Sequence, residues 1–182
     1  MLAGKTVREF KIDDTEVVFR YPEMSDAKDL ERLINSLIEE KAAITLDREQ
    51  SFEEELSWLS ETLKNVEKGK EIALVVEVDE KVLGSSGVRK KEGNESHVGE
   101  LGILLRKGIR GKGIGEKLIK TLIKEAKKRL EIEIVTLNVY HTNEIALNLY
   151  KKAGFEEIGR LKDGAYHDDK YIDVIIMSKD LR

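Results

Sequence analysis

Apolar positions along the chain switch between two periods. In Thr15 to Tyr21 (TEVVFRY) they alternate, which predicts a strand, and Pro22, Ser25 and Asp26 follow as a turn and helix start. From Asp26 to Glu40 the residues Ala27, Leu30, Leu33, Ile34, Leu37 and Ile38 recur at helical spacing. Ser51, with Glu54 three residues on, forms a capping box that opens a second helix carrying Phe52, Leu56, Leu59 and Leu63.

Glu71 to Val78, Val82 to Lys91 and His97 to Leu105 then read as three strands joined as a meander by short polar turns. A glycine turn and a long helix (Gly113 to Arg129) precede a strand at Glu133 to Tyr140. Thr142 to Gly154 reads as a capped helix, and FEEIGRL and KYIDVIIMS close the chain as two strands across the turn DGAYHDD. About seven strands and about four helices in this order predict an α/β (α+β) fold, a mixed and mostly antiparallel sheet. The long helix makes the one crossover between parallel strands.

Composition narrows the picture. With 182 residues, no internal repeat and no Pro-, Gly- or Ser-rich linker, residues 1–182 are expected to form a single domain. Charged residues are 37% of the chain but the net charge is only −4, so the charges are interspersed. That argues against a nucleic-acid partner held by bulk charge. There is no cysteine, which excludes disulfides and thiol nucleophiles. His97, His141 and His167 are too scattered for a metal site, so none is expected. No uncharged apolar run has membrane-spanning length, and a cytoplasmic protein without a membrane partner is expected.

The opening of the long helix, LLRKGIRGKGIGEKL, gathers Gly111, Gly113 and Gly115 beside basic residues. A helix start leaves backbone N–H groups unpaired at the positive end of its dipole, a natural seat for phosphate. Glycine lets the backbone approach such an anion. The stretch is neither a Walker loop, since Ile114 and Gly115 follow Gly113, nor a dinucleotide fingerprint, whose third glycine would fall at Leu118. On these residues alone, a phosphate cradle and a plain strand-to-helix turn both stand.

Arg110 to Gly115 (RGKGIG) resembles the Arg/Gln-x-x-Gly-x-Gly/Ala signature of the GNAT superfamily of acetyl-CoA-dependent N-acetyltransferases. The resemblance extends to the preceding ELGILL, to LNVYHTNEIALNLYKKAGFEEIGRL and to the element order, covering residues 15 to 180. The closing segment is most similar to the branch holding ribosomal-protein N-terminal and small-amine acetyltransferases. The resemblance implies acetyl-CoA as co-substrate, its pyrophosphate cradled by Arg110, Gly111, Lys112, Gly113, Ile114, Gly115 and Glu116. It implies a pantetheine arm lying along Ile103, Leu104 and Leu105, where two parallel strands splay apart. Tyr150 would be the general acid for the departing thiolate, and Asn143 a cofactor contact. Read without the family, Tyr150 also fits a packed tyrosine and Asn143 a plain helix cap.

The acceptor amine must lose a proton. An alkyl amine of pKa ~10.4 is free base about once in 10³ molecules at neutral pH, so a base is needed. Glu100 is the candidate, as a partly buried strand carboxylate, with an exposed glutamate turned either way by a bulge as the competing reading. His97 is a minor alternative, and Asn138 stands where some protein-acetylating relatives carry a glutamate. Tyr166, Tyr171 and Asp173 either shape the acceptor pocket or pack at a subunit interface, with a homodimer left open. The function implied is acetyl transfer by direct attack of a primary amine, a protein N-terminal α-amine or a small amine. A detoxifying small-molecule, antibiotic or amino-acid acetyltransferase is the rival within the class. A coenzyme A-binding regulatory module without turnover is the rival outside it.

Overall fold

A computed structural model describes residues 1–182. Its centre is one eight-stranded sheet in the order β1-β2-β3-β4-β5-β6-β8-β7. The strands are β1 (Thr6–Ile12), β2 (Thr15–Arg20), β3 (Glu71–Val78), β4 (Lys81–Lys90), β5 (Val98–Leu105), β6 (Ile134–Tyr140), β7 (Glu156–His167) and β8 (Lys170–Asp180). Four helices join them: α1 (Ala27–Glu39), α2 (Phe52–Glu67), α3 (Ile114–Leu130) and α4 (Glu144–Lys152). Every neighbouring pair is antiparallel except β5 and β6, which α3 connects as a crossover.

Alternation along β3 sorts the two layers. Ile72, Leu74 and Val76 pack in the larger core with Leu118, Ile119 and Leu122 of α3 and Tyr150 of α4. Val75, on the opposite face, joins Leu30, Leu33 and Leu37 of α1 and Leu59 of α2. Ser51 and Glu54 close the expected capping box at the start of α2, Glu54 N–H donating to Ser51 Oγ at 3.2 Å and Ser51 N–H to Glu54 Oε2 at 2.8 Å.

Two expectations need correction. The sheet has eight strands rather than about seven, because β1 precedes the first strand expected from the pattern. It is an edge strand bearing Arg8, Glu9 and Lys11, and charge on an edge blurs alternation while discouraging edge-to-edge association. The closing strands are also longer. Most of DGAYHDD belongs to β7, and the reversal is made by Asp168 and Asp169 alone, both at positive φ (50° and 61°), the geometry of a two-residue hairpin turn.

Candidate active site

Strands β5 and β6 pair only over Val98–Glu100 against Ile134–Thr136. Beyond Glu100 they diverge, while β5 stays paired with β4 as far as Leu105. The β6-facing edge of β5 from Leu101 to Leu105 therefore has no strand partner, and backbone groups there must find other partners. Ile103 and Leu105 turn toward the core under α3, and Leu104 packs on the α1 side. The Leu105 carbonyl is not wholly free: Arg110 Nε donates to it at 2.7 Å.

Next along the chain a 3-10 turn, Lys107–Ile109, leads to Arg110, Gly111 and Lys112 and into α3. Gly111 and Gly113 both have φ +75°, the left-handed region that a side chain resists, and a Cβ on either would meet nothing within 4 Å. Gly113 is the N-cap residue and offers no side chain to the first turn, whose leading N–H groups face the open loop. Ile114 is buried. Gly115 serves packing instead: a Cβ there would approach Leu149 Cδ2 at 3.0 Å and Leu105 Cδ1 at 3.3 Å, so α3 starts tight against α4 and the end of β5. Glu116 is engaged by Lys120 at 2.6 Å, and that ammonium holds its carboxyl below the ordinary range. The loop is thus bare glycine backbone at a helix N-terminus with basic side chains around it, which fits a pyrophosphate. Arg110 also forms an ion pair with Glu40 after α1, joining this loop to the opposite layer.

Tyr150, in the last turn of α4, is 6% exposed and sits edge-on to Phe155 with ring centroids 5.9 Å apart. Its hydroxyl makes no hydrogen bond within the protein, and burial pushes its pKa above the ordinary tyrosine value. The phenol therefore stays protonated through the neutral range. Asn143 caps α4, its Oδ1 accepting from the Ala146 N–H at 3.1 Å, so its carbonyl oxygen is occupied and its amide nitrogen remains.

Glu100 sits at the last β5–β6 pair, opposite Thr136, on the α1 and α2 face of the sheet. It is exposed, which corrects the expectation of a partly buried carboxylate, and β5 runs against β4 without a bulge, so its direction follows plain alternation. No hydrogen bond or ion pair engages it. Its cross-strand neighbour Arg89 turns away onto Glu71, with Nε and an Nη each 3.0 Å from the same carboxylate oxygen. Glu71 is buried, and desolvation raises its pKa while Arg89 opposes that rise.

The same face carries Thr136, exposed Asn138 and Tyr140 of β6. Here the connection between α1 and α2 is fastened to the β7–β8 hairpin. Lys41 Nζ lies 2.8 Å from Asp168, His167 Nε2 lies 3.1 Å from the Ala42 carbonyl, and Tyr140 donates its hydroxyl to the Ile44 carbonyl at 3.4 Å. The Tyr140 and His167 rings lie 5.7 Å apart. Glu100 therefore lies on an open face walled at one end by this fastening. Tyr166 and Tyr171 meet edge-on, exposed, on the other face of the hairpin, and Asp173 meets Arg160 at 3.4 Å.

The acetyltransferase (GNAT) family profile matches residues 32–155, more than half of the chain. The chain belongs to that family. The GNAT class consists of acetyl-CoA-dependent N-acetyltransferases. The L-amino acid N-acetyltransferase AaaT of Escherichia coli (strain K12) is 28% identical over 107 residues, which is 58% of this chain and 66% of that protein. Among solved GNAT folds, the ribosomal-protein-alanine N-acetyltransferase from Brucella melitensis is similar with a TM-score of 0.79 and 26% identity, over 90% of this chain and 99% of that one. RimJ of Mycobacterium smegmatis, in complex with CoA-disulfide, has a TM-score of 0.80 over 97% of this chain and 88% of that one, and at 17% identity it shows the fold alone.

The resemblance grouped the loop, β5 and Tyr150, and in the structure Gly115 lies close to Leu105 of β5 and to Leu149, the neighbour of Tyr150 in α4. Sequence reasoning missed Glu40, Arg89, Glu71 and the fastening through Lys41, His167 and Asp168, because these contacts join residues far apart in the chain. Only the charge of those residues was visible beforehand. No three His, Cys, Asp or Glu side chains form a group able to hold a metal, and no helix is long and apolar enough to cross a membrane. A surface hollow of about 540 Å³ lies along α2 between Met24, Leu56 and Lys64, and none of its lining belongs to the site.

Proposed function

We propose that this GNAT domain transfers an acetyl group from acetyl-CoA to the α-amine of an amino acid or of a polypeptide N-terminus. The single observation that carries the reading is the divergence of β5 from β6 at Glu100, with an exposed unpaired carboxylate on one face of the sheet and Tyr150 buried in the core on the other. In this reading the pyrophosphate lies on the backbone N–H groups of Gly111 to Gly115, with Arg110, Lys112 and the Asn143 amide beside it. Pantetheine extends along Ile103 to Leu105. The amine nitrogen attacks the acetyl carbonyl carbon, the C–N bond forms and the C–S bond breaks. Glu100, directly or through water, accepts the ammonium proton, and Tyr150 gives its phenolic proton to the departing sulfur. No covalent enzyme intermediate is needed, since no nucleophile stands among these groups.

The preference for an α-amine rests on chemistry and on likeness. An α-amine of pKa ~8 is about a tenth free base at neutral pH, so an exposed carboxylate suffices, whereas an alkyl amine needs a stronger base. Two relatives above 25% identity are named for an amino acid and a ribosomal-protein alanine. The test is thiol release from acetyl-CoA with L-amino acids, short peptides with free N-termini, polyamines and antibiotic amines, each product identified by mass. Acetylated α-amines are the expected products. Turnover confined to polyamines or antibiotics would replace this acceptor with the rival one, and cofactor binding without any product would favour the regulatory module.

A further inference from the structure

Gly102 and Gly87 stand directly opposite each other on β5 and β4, in the middle of the sheet. Alternation puts Gly102 on the face of Glu100 and Leu104, two residues from each, or about 7 Å along the strand. Gly87 shares that face: a Cβ built on it would lie 3.2 Å from the Ile72 carbonyl and 3.5 Å from Glu71 Oε1, so packing gives it a reason to be glycine. Gly102 has no such reason. It is exposed, a Cβ there would meet nothing within 4 Å, and its φ is not in the left-handed region. Glycine in a strand interior weakens the strand, and where the fold does not require it, it marks the close approach of another group.

We infer that Gly102 is the residue that sets the acceptor class, its missing side chain making room for the substituent on the carbon beside the reacting amine. The inference rests on the acetyl-transfer reading above. That reading runs the thioester arm along the freed edge of β5 and the amine to Glu100, so the carbon bearing the amine crosses the bare floor between Glu100 and Leu104. An α-amino acid or an N-terminal residue branches at that carbon and needs the space. An unbranched alkyl amine has only a methylene there and does not. Gly102 touches no reacting atom and acts through space left open.

The experiment compares wild type, Gly102→Ala and Gly102→Val with L-alanine, a peptide with N-terminal alanine and an unbranched alkyl amine. Melting temperature and the KM for acetyl-CoA are followed alongside. The open surroundings predict folded variants with unchanged KM for acetyl-CoA. The KM for the branched acceptors is expected to rise at least tenfold in Gly102→Val and less in Gly102→Ala, while the unbranched amine changes at most a few-fold. Equal loss with both kinds of acceptor, or no loss with either, overturns the inference and leaves the acetyl-transfer reading in place. Wild type that acetylates no branched acceptor overturns it as well, and wild type that acetylates nothing overturns the reading beneath it.

Discussion

Arg89 and Glu100 face each other across β4 and β5, yet the Arg89 guanidinium is turned the other way, onto Glu71 at 3.0 Å. A buried carboxylate thereby holds the cross-strand cation away from Glu100, the proposed base. In Glu71→Gln the neutral amide holds Arg89 less strongly, and the guanidinium is expected to turn onto Glu100. An exposed ion pair is worth ~0.2–1 kcal/mol, so the acceptor KM should rise about 1.4- to fivefold. Steady-state kinetics with fixed saturating acetyl-CoA measure this. Adding Arg89→Gln should restore the acceptor KM, and unchanged kinetics in the single variant would remove Glu71 from the account.

Gly113→Val replaces a residue at φ +75° whose backbone faces the open loop. The strain of a β-branched residue there is of order 1–3 kcal/mol, and the added methyls would cover the N–H groups proposed to seat the pyrophosphate. Calorimetric titration is expected to show at least a hundredfold loss of coenzyme A affinity in a protein whose circular dichroism is unchanged. Retained affinity would make the glycine loop an ordinary turn.

Stability should carry a pH signature from Glu55, which is 9% exposed in α2. Burial, aided by the Glu31 carboxylate, pushes its pKa up to about 7 from 4.5. Since the folded value is the higher one, the folded state retains a proton that the unfolded chain has lost. The contribution is fully present below about 4.5 and disappears as the pH rises through about 7. Glu55→Gln removes the charge that must otherwise be buried. It should stabilise the protein by about 1–2 kcal/mol above pH ~8, discounted for the solvent that reaches the group, and by nearly nothing at pH ~4. Urea melts at both pH values check the difference, and an equal effect at both would contradict it.

Much of the fold was legible because its elements are strongly periodic: the apolar stripes of α1 and α3 and the near-continuous apolar β3 leave little choice of period. The Arg110 to Gly115 signature and the Asn143 to Phe155 segment likewise pointed to the family and to the cofactor seat proposed above. The acceptor half was less so. Glu100 could be named, but its exposure depends on an uninterrupted β5 register and on which elements cover that end of the strand, neither of which is local. The fastening of Lys41 and Ala42 to Asp168 and His167 spans more than 120 residues of chain. No periodicity reports such a contact. β1 was missed because an edge strand with charges on both faces has little alternation to show.

The central claim is that acetyl transfer at the splay of β5 and β6 ends with proton donation from Tyr150. The most direct measurement is kcat of Tyr150→Phe beside its affinity for acetyl-CoA, the first by thiol release and the second by calorimetric titration. Losing a positioned general acid costs ~10²–10⁴ in rate, while the phenyl ring keeps the edge-on contact with Phe155. The predicted result is a kcat lowered at least a hundredfold with acetyl-CoA affinity within threefold of wild type. A kcat equal to that of wild type would contradict the assignment.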